Sequence, residues 1–160
     1  LFAVENGYMQ AKSRTEFGAQ ASATYGEVLR ALYRMAGGTQ SLSDDAVITW
    51  AQEHALISDD VSAQDTVTYG SVSRLFLRYL ADRKIDVSLT ETDKTQLAQI
   101  QAGYTELDDT TCLAMYWMRK HAILQDNDLG QYYSLAHQVL NRAQVSRCLQ
   151  GISSLVQPTS

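Results

Sequence analysis

Proline is nearly missing: the only one is Pro158, so from residue 1 to 157 nothing blocks a helix by fixing φ and removing an N–H donor. Cysteine is scarce as well. Cys112 and Cys148 cannot make a metal site by themselves, and both fall where helical patterns place apolar residues, which predicts two buried free thiols. A disulfide between them would need Cα atoms within about 7 Å. No apolar run approaches the roughly 20 residues of a membrane span, so membrane insertion is not expected. The 13 basic residues form no block and are outnumbered by 18 acidic ones, for a net charge of -5. A nucleic-acid binder carries a basic patch, so nucleic acid is not an expected partner.

Catalytic signatures are missing too. His54, His121 and His137 lack the His-x-x-x-His spacing of a zinc helix, and there is neither a Gly-rich phosphate loop nor a Gly-x-Ser-x-Gly elbow. The stretch Asp126-Asn127-Asp128-Leu129-Gly130 has a calcium-loop look, but the twelfth position, where an EF-hand needs glutamate, is His137. Asp44-Asp45 and Asp108-Asp109 precede apolar helical segments, where negative charge suits a helix N-terminus. The expectation is a protein that is not an enzyme and holds no metal or cofactor.

What the chain does have is 45% hydrophobic residues and nine tyrosines in 160 positions, enough for one domain of the usual size, roughly 100 to 200 residues. The composition favours an all-α fold. The chain opens at Leu1, without Met and inside a helical pattern, which predicts a piece of a longer protein.

The strongest signal is internal repetition. Residues 24 to 35 (TYGEVLRALYRM), 68 to 80 (TYGSVSRLFLRYL) and 141 to 149 (NRAQVSRCL) align, with Thr24, Thr68 and Asn141 equivalent. Val28, Val72 and Val145 then coincide, as do Arg30, Arg74 and Arg147. Val72, Leu75, Phe76, Tyr79 and Leu80 mark one apolar helical stripe; Val145, Cys148, Leu149 and Ile152 mark another, and Val28, Leu29, Leu32 and Met35 a looser one. Thr24 with Glu27 and Asn141 with Gln144 have capping-box spacing, while Thr68 with Ser71 is expected to keep only half of the box. The three arginines lie off the stripes, in solvent or in ion pairs of little worth.

A second element also recurs. Phe2, Trp50 and Trp117 are each followed by mostly polar residues, then by Gly7, Ala55 or Ala122, and then by two large apolar residues. Each aromatic is expected on an amphipathic helix that ends near the Gly or Ala. The aromatic-to-cap interval varies (2 to 24, 50 to 68, 117 to 141), with turn-rich composition at 13–15, 58–60 and 126–128. Between the second and third copies, Thr90-Glu91-Thr92-Asp93 with Leu97 and Ile100 predicts one additional short helix, ended by Gly103. The tail 157–160 is expected to fray.

These units resemble the S-layer homology repeat, which pairs a Trp-bearing helix and a Gly-Ile-Ile-like end with a variable loop and a second helix opening Thr-Arg-Ala-Glu. Residues 117 to 124, 126 to 130 and Asn141-Arg142-Ala143-Gln144-Val145 follow that pattern best, and the likeness extends over nearly the whole chain. The resemblance implies a single domain over 1–160, with repeats at about 1–38, 39–82 and 103–156 and an insertion at 83–102. Its implied architecture is three helix-loop-helix repeats in a pseudo-threefold arrangement around a central three-helix bundle. The implied function is noncovalent anchoring to a Gram-positive-type cell wall, outside the cell, through a secondary cell-wall polysaccharide, often pyruvylated, held in inter-repeat grooves.

In that family the Arg of Thr-Arg-Ala-Glu helps to hold the acidic glycan, as its planar fork of donors suits. Here only the third copy keeps it, as Arg142, and only the first keeps the Glu, as Glu27; Tyr25 and Tyr69 replace the other arginines, and Ser71 and Gln144 the other glutamates. Arg142, Glu27, Gln144, Tyr25, Tyr69, Trp50 and Trp117 are therefore the candidate ligand-binding residues. Bland readings stand beside these: Arg142 as an exposed helix-start residue, Tyr25 and Tyr69 as packing at helix starts, and Trp50 and Trp117 as core anchors. The alternative function is a degenerate copy of the fold, a spacer or a module for other surface proteins, without glycan binding.

Overall fold

The computed structural model describes residues 2–10, 18, 20–124 and 136–156; the expected turn-rich stretches 13–15 and 126–130 and the tail 157–160 lie outside them. Among the described residues the protein is all-helical, with α1 (Phe2–Glu5), α2 (Tyr25–Met35), α3 (Asp44–Glu53), α4 (Tyr69–Asp82), α5 (Glu91–Gly103), α6 (Asp109–Lys120) and α7 (Arg142–Val156). No strand forms among these residues; Ser22 bridges Asn141 and Thr24 bridges Thr66 as isolated β-pairs. The chain divides into two compact units, Leu1–Val67 with Val139–Ser160, and Thr68–Gln138.

The starts of α2, α4 and α7 follow from their caps. Thr24 Oγ1 accepts from the Glu27 N–H, and the Glu27 carboxylate accepts from the Thr24 N–H, both at 3.3 Å. Asn141 and Gln144 make the same exchange at 2.8 Å in each direction. Thr68 does better than its sequence suggests: Ser71 Oγ accepts from the Thr68 N–H at 2.9 Å, so a serine hydroxyl completes the box where a longer carboxylate was thought necessary. Each such cap contributes about 1 kcal/mol.

The ends of α1, α3 and α6 are equally local. Gly7, Ala55 and Ala122 all take left-handed backbone, at φ 72°, 56° and 58°. In each case the next N–H reaches back across the turn, from Tyr8 to Ala3 O (2.7 Å), Leu56 to Ala51 O (2.8 Å) and Ile123 to Met118 O (2.8 Å). This double-bonded ending satisfies the last carbonyls and turns the following apolar residue inward; Leu56 and Ile123 are both buried.

In the first unit α1 packs on α7, and α2 packs on α3 and α7. Their apolar stripes meet in a core that includes Val28, Leu29, Leu32, Val47, Leu56, Val145, Leu149 and Ile152. Three backbone hydrogen bonds, each 3.0 Å, close a ring beneath it: the Ala23 N–H donates to Leu140 O, the Leu140 N–H to Val67 O, and the Val67 N–H to Ala23 O. Gly26 sits against the backbone at 63, where a Cβ would come 3.1 Å from Ala63 O. That close approach lets the Tyr25 and Gly26 N–H groups donate to Asp65 O and Ala63 O, both at 2.9 Å.

In the second unit α6 packs on α4 and α5 around Leu75, Phe76, Tyr79, Leu97, Met115 and Trp117. The additional helix exists as expected, capped by the Thr90–Asp93 box, although Gly103 is its last residue and Tyr104 its cap. Asp93 also ties α5 to α6, accepting from Tyr116 Oη at 2.8 Å and from Lys120 Nζ at 2.5 Å. Gly70 repeats the role of Gly26, since a Cβ there would meet Ala136 O at 3.1 Å and the Thr111 methyl at 3.0 Å. The two cysteines are buried free thiols, as their helical register implied.

Candidate functional site

The first unit carries an open-sided groove of about 390 Å³ among its described residues. The turn after α1 forms one wall (Tyr8, Gln10), α2 another (Glu27, Arg30, Tyr33, Arg34), and Gln40 to Leu42 a third, with Arg142 at the start of α7 closing one end. The left-handed Gly7 bends the first wall into place, and the capping box of α2 fixes the direction of Glu27.

Arg142 is not an exposed helix-start residue. Only 5% of it is accessible, its guanidinium ion-pairs with Glu27 and donates to the Gln10 carbonyl, and burial pushes its pKa down from the ordinary arginine value. The lone arginine and the lone glutamate left at the two motif positions, 115 residues apart at 27 and 142, thus meet in space. Glu27 serves two partners, the backbone of its own helix start and this cation.

Arg30 is in an ion pair, one of the two outcomes expected of it, and Arg74 bonds a neighbouring helix. Arg30 reaches the Leu42 carbonyl (3.1 Å) and ion-pairs with Asp44 in the first turn of α3. Arg74 donates to Thr111 Oγ1, whose own hydroxyl donates to Asp108 Oδ1 at 2.6 Å. Burial works to raise the Asp108 pKa, but the Thr111 hydrogen bonds and the charge of Arg74 outweigh it and leave the carboxyl below its ordinary value. One position on α2 and on α4 therefore holds the N-terminus of a neighbouring helix, where acidic and hydroxyl groups gather for capping reasons. Arg147 is exposed, as expected.

The remaining candidates are dispersed. Gln144 is engaged in the cap of α7. Tyr25 is half-buried at the start of α2 and does not line the groove. Trp50 stands edge-on to Tyr33 at 5.5 Å and does not line the groove. Tyr69 and Trp117 are 8% and 2% exposed in the second unit, where Trp117 stacks on His121 at 3.9 Å.

Sequence reasoning missed Tyr8, Gln10, Tyr33 and Arg34. Tyr33 is held by its neighbours: its hydroxyl accepts from the Gln40 N–H at 3.3 Å, and Gly38 lies so close to the ring that a Cβ would fall 2.3 Å from it. Arg34 is half-buried and has no ion pair among the described residues. A signal for it was present, since Arg34 and Arg78 both lie ten residues after a cap threonine.

No family model matches the chain, and no curated protein matches it either. Chemically, the groove offers guanidinium groups, two phenols and side-chain amides. Among the described residues no group of three or more His, Cys, Asp and Glu could hold a metal ion, and no helix is long and apolar enough to cross a membrane.

Proposed function

We propose that this chain is a three-repeat domain of the S-layer homology type, pseudo-threefold in arrangement, which anchors its parent protein noncovalently to a cell-wall polysaccharide outside the cell. The observation that carries the reading is the ring joining Ala23, Val67 and Leu140. Each is the residue just before a cap (Thr24, Thr68, Asn141), and each donates to the next in the same sense, a cyclic exchange natural to three equivalent units. The left-handed endings at Gly7, Ala55 and Ala122, matched at the ends of α2 and α4 by Gly37 and Lys84, recur at equivalent places along the chain and support the same equivalence.

Glycan binding draws its support from the groove. Phenol rings and amides suit sugar faces and hydroxyls, and guanidinium suits the carboxylate of an acidic or pyruvylated sugar. A second reading, a spacer or partner-binding module without glycan affinity, is favoured by one observation: the retained Arg142 is already neutralised by Glu27.

Co-sedimentation with purified walls, untreated and stripped of secondary polysaccharide, separates the two. The anchor reading expects binding that is lost on stripping. No sedimentation with untreated walls would overturn it in favour of the spacer.

A further inference from the structure

Three guanidinium groups line the groove, but they are not equivalent. Arg142 is matched by Glu27 and Gln10, and Arg30 by Asp44 and Leu42. Arg34, on the same wall, has no such partner among the described residues. Resting on the glycan reading above, we propose that Arg34, and not the motif arginine Arg142, supplies the charge that selects an acidic ligand, and that the groove accepts one carboxylate on a sugar-sized molecule.

The count of charges sets the ligand class. Among the described lining residues, after the two internal pairs are subtracted, one positive charge remains, so a single carboxylate is neutralised and a second anionic group meets no counter-charge from them. A ligand carboxylate at Arg142 would have to displace Glu27 and break its bond to the Thr24 N–H as well. At Arg34 it displaces no ion pair among the described residues. Gln10, Gln40, Tyr8 and Tyr33 line the same groove with neutral hydrogen-bonding groups, and about 390 Å³ is within the usual range for a small-ligand pocket, roughly 300 to 1,000 Å³.

The test uses methyl β-glucuronide as the acidic probe and methyl β-glucoside as its neutral counterpart, titrated into the whole chain and followed by NMR. A preference for the uronide of about tenfold is expected from one charge-assisted contact. The Arg34 side-chain Nε–H resonance is expected to shift and that of Arg142 to stay. Arg34→Gln should erase the preference at an unchanged thermal midpoint, and Arg34→Lys should restore part of it. A preference that survives Arg34→Gln, a shift at Arg142 alone, or no preference in the natural chain would overturn the assignment. Wall co-sedimentation distinguishes the two proposals. If walls retain the natural chain and Arg34→Gln equally well, the assignment fails and the anchor stands. A uronide preference lost in Arg34→Gln, with no wall binding, would sink the anchor and keep the assignment.

Discussion

The Glu27–Arg142 pair gives the sharpest energetic prediction. Its two side chains are 23% and 7% exposed, so the cation is almost wholly removed from water while the carboxylate keeps some contact with it. Removing one member of a fully buried pair costs about 3 to 5 kcal/mol, because the other is left charged and unmatched. Residual hydration of Glu27 reduces this, and Glu27→Gln retains an oxygen that can still accept from the Thr24 N–H. Glu27→Gln is therefore expected to destabilise by about 2 kcal/mol. Arg142→Met keeps much of the aliphatic bulk but frees the Gln10 carbonyl, and about 2 to 3 kcal/mol is expected. In the double variant neither charge remains, so the loss should be less than the sum of the two, with a coupling of about 1 to 2 kcal/mol. Equilibrium urea unfolding followed by circular dichroism measures all four corners of the cycle. Additive losses, with coupling under about 0.5 kcal/mol, would refute the claim that these two residues stabilise each other. Treating Arg142 as a pure ligand contact, dispensable to the fold, leads to the opposite result.

Three further outcomes are expected. Ala55→Gly and Ala122→Gly relieve left-handed strain but add freedom to the unfolded chain; a net gain of up to about 1 kcal/mol each should appear as a higher melting temperature, and a loss would contradict the strained endings. Gly70→Ala places a methyl against the Ala136 carbonyl and the Thr111 methyl and should cost about 1 to 3 kcal/mol in urea unfolding, whereas Gly103→Ala, with open space around it, should be near neutral or stabilising. The Asp93 carboxyl is held well below its ordinary range by Lys120, the Thr90 N–H and Tyr116, against a small opposing effect of burial. A depressed folded pKa means that its contribution is complete above the unfolded value, about 4, and is lost as pH falls further. The stability gap between the natural chain and Asp93→Asn should be full at neutral pH and shrink below about pH 4; a gap independent of pH would count against this account.

What could be read from the sequence is what is local. A cap and the residue three places on, or a helix end and the Gly or Ala that turns it, meet within one turn, so spacing alone locates α2, α4, α5 and α7 and the endings of α1, α3 and α6. Ser71 is the instructive failure, because residue type was weighed over position and the backbone needs only an oxygen at that place. The partners of the arginines were hidden for a different reason. Arg30 finds Asp44, Arg74 finds Thr111, and Arg142 finds Glu27, each across a fold contact that no helical period encodes. Being off the apolar stripe left Arg30 and Arg74 to solvent or ion pairs, and nothing in that pattern separates solvent from the first turn of another helix. The groove, assembled from three distant stretches and one residue of α7, was invisible for the same reason.

The ring of Ala23, Val67 and Leu140 uses main-chain atoms only, so any residue with an N–H can occupy those places and the side chains there are free to vary. It also couples folding to the far end of the chain. Two of its three bonds involve Leu140, 117 positions beyond Ala23, and neither can form until that part arrives. Helical proteins usually fold fast because their contacts are short in sequence, and long-range closure slows the search. This all-helical chain is thus expected to acquire its helices early and its final stability late, at a pace nearer to that of a mixed or β-rich domain than of a simple bundle.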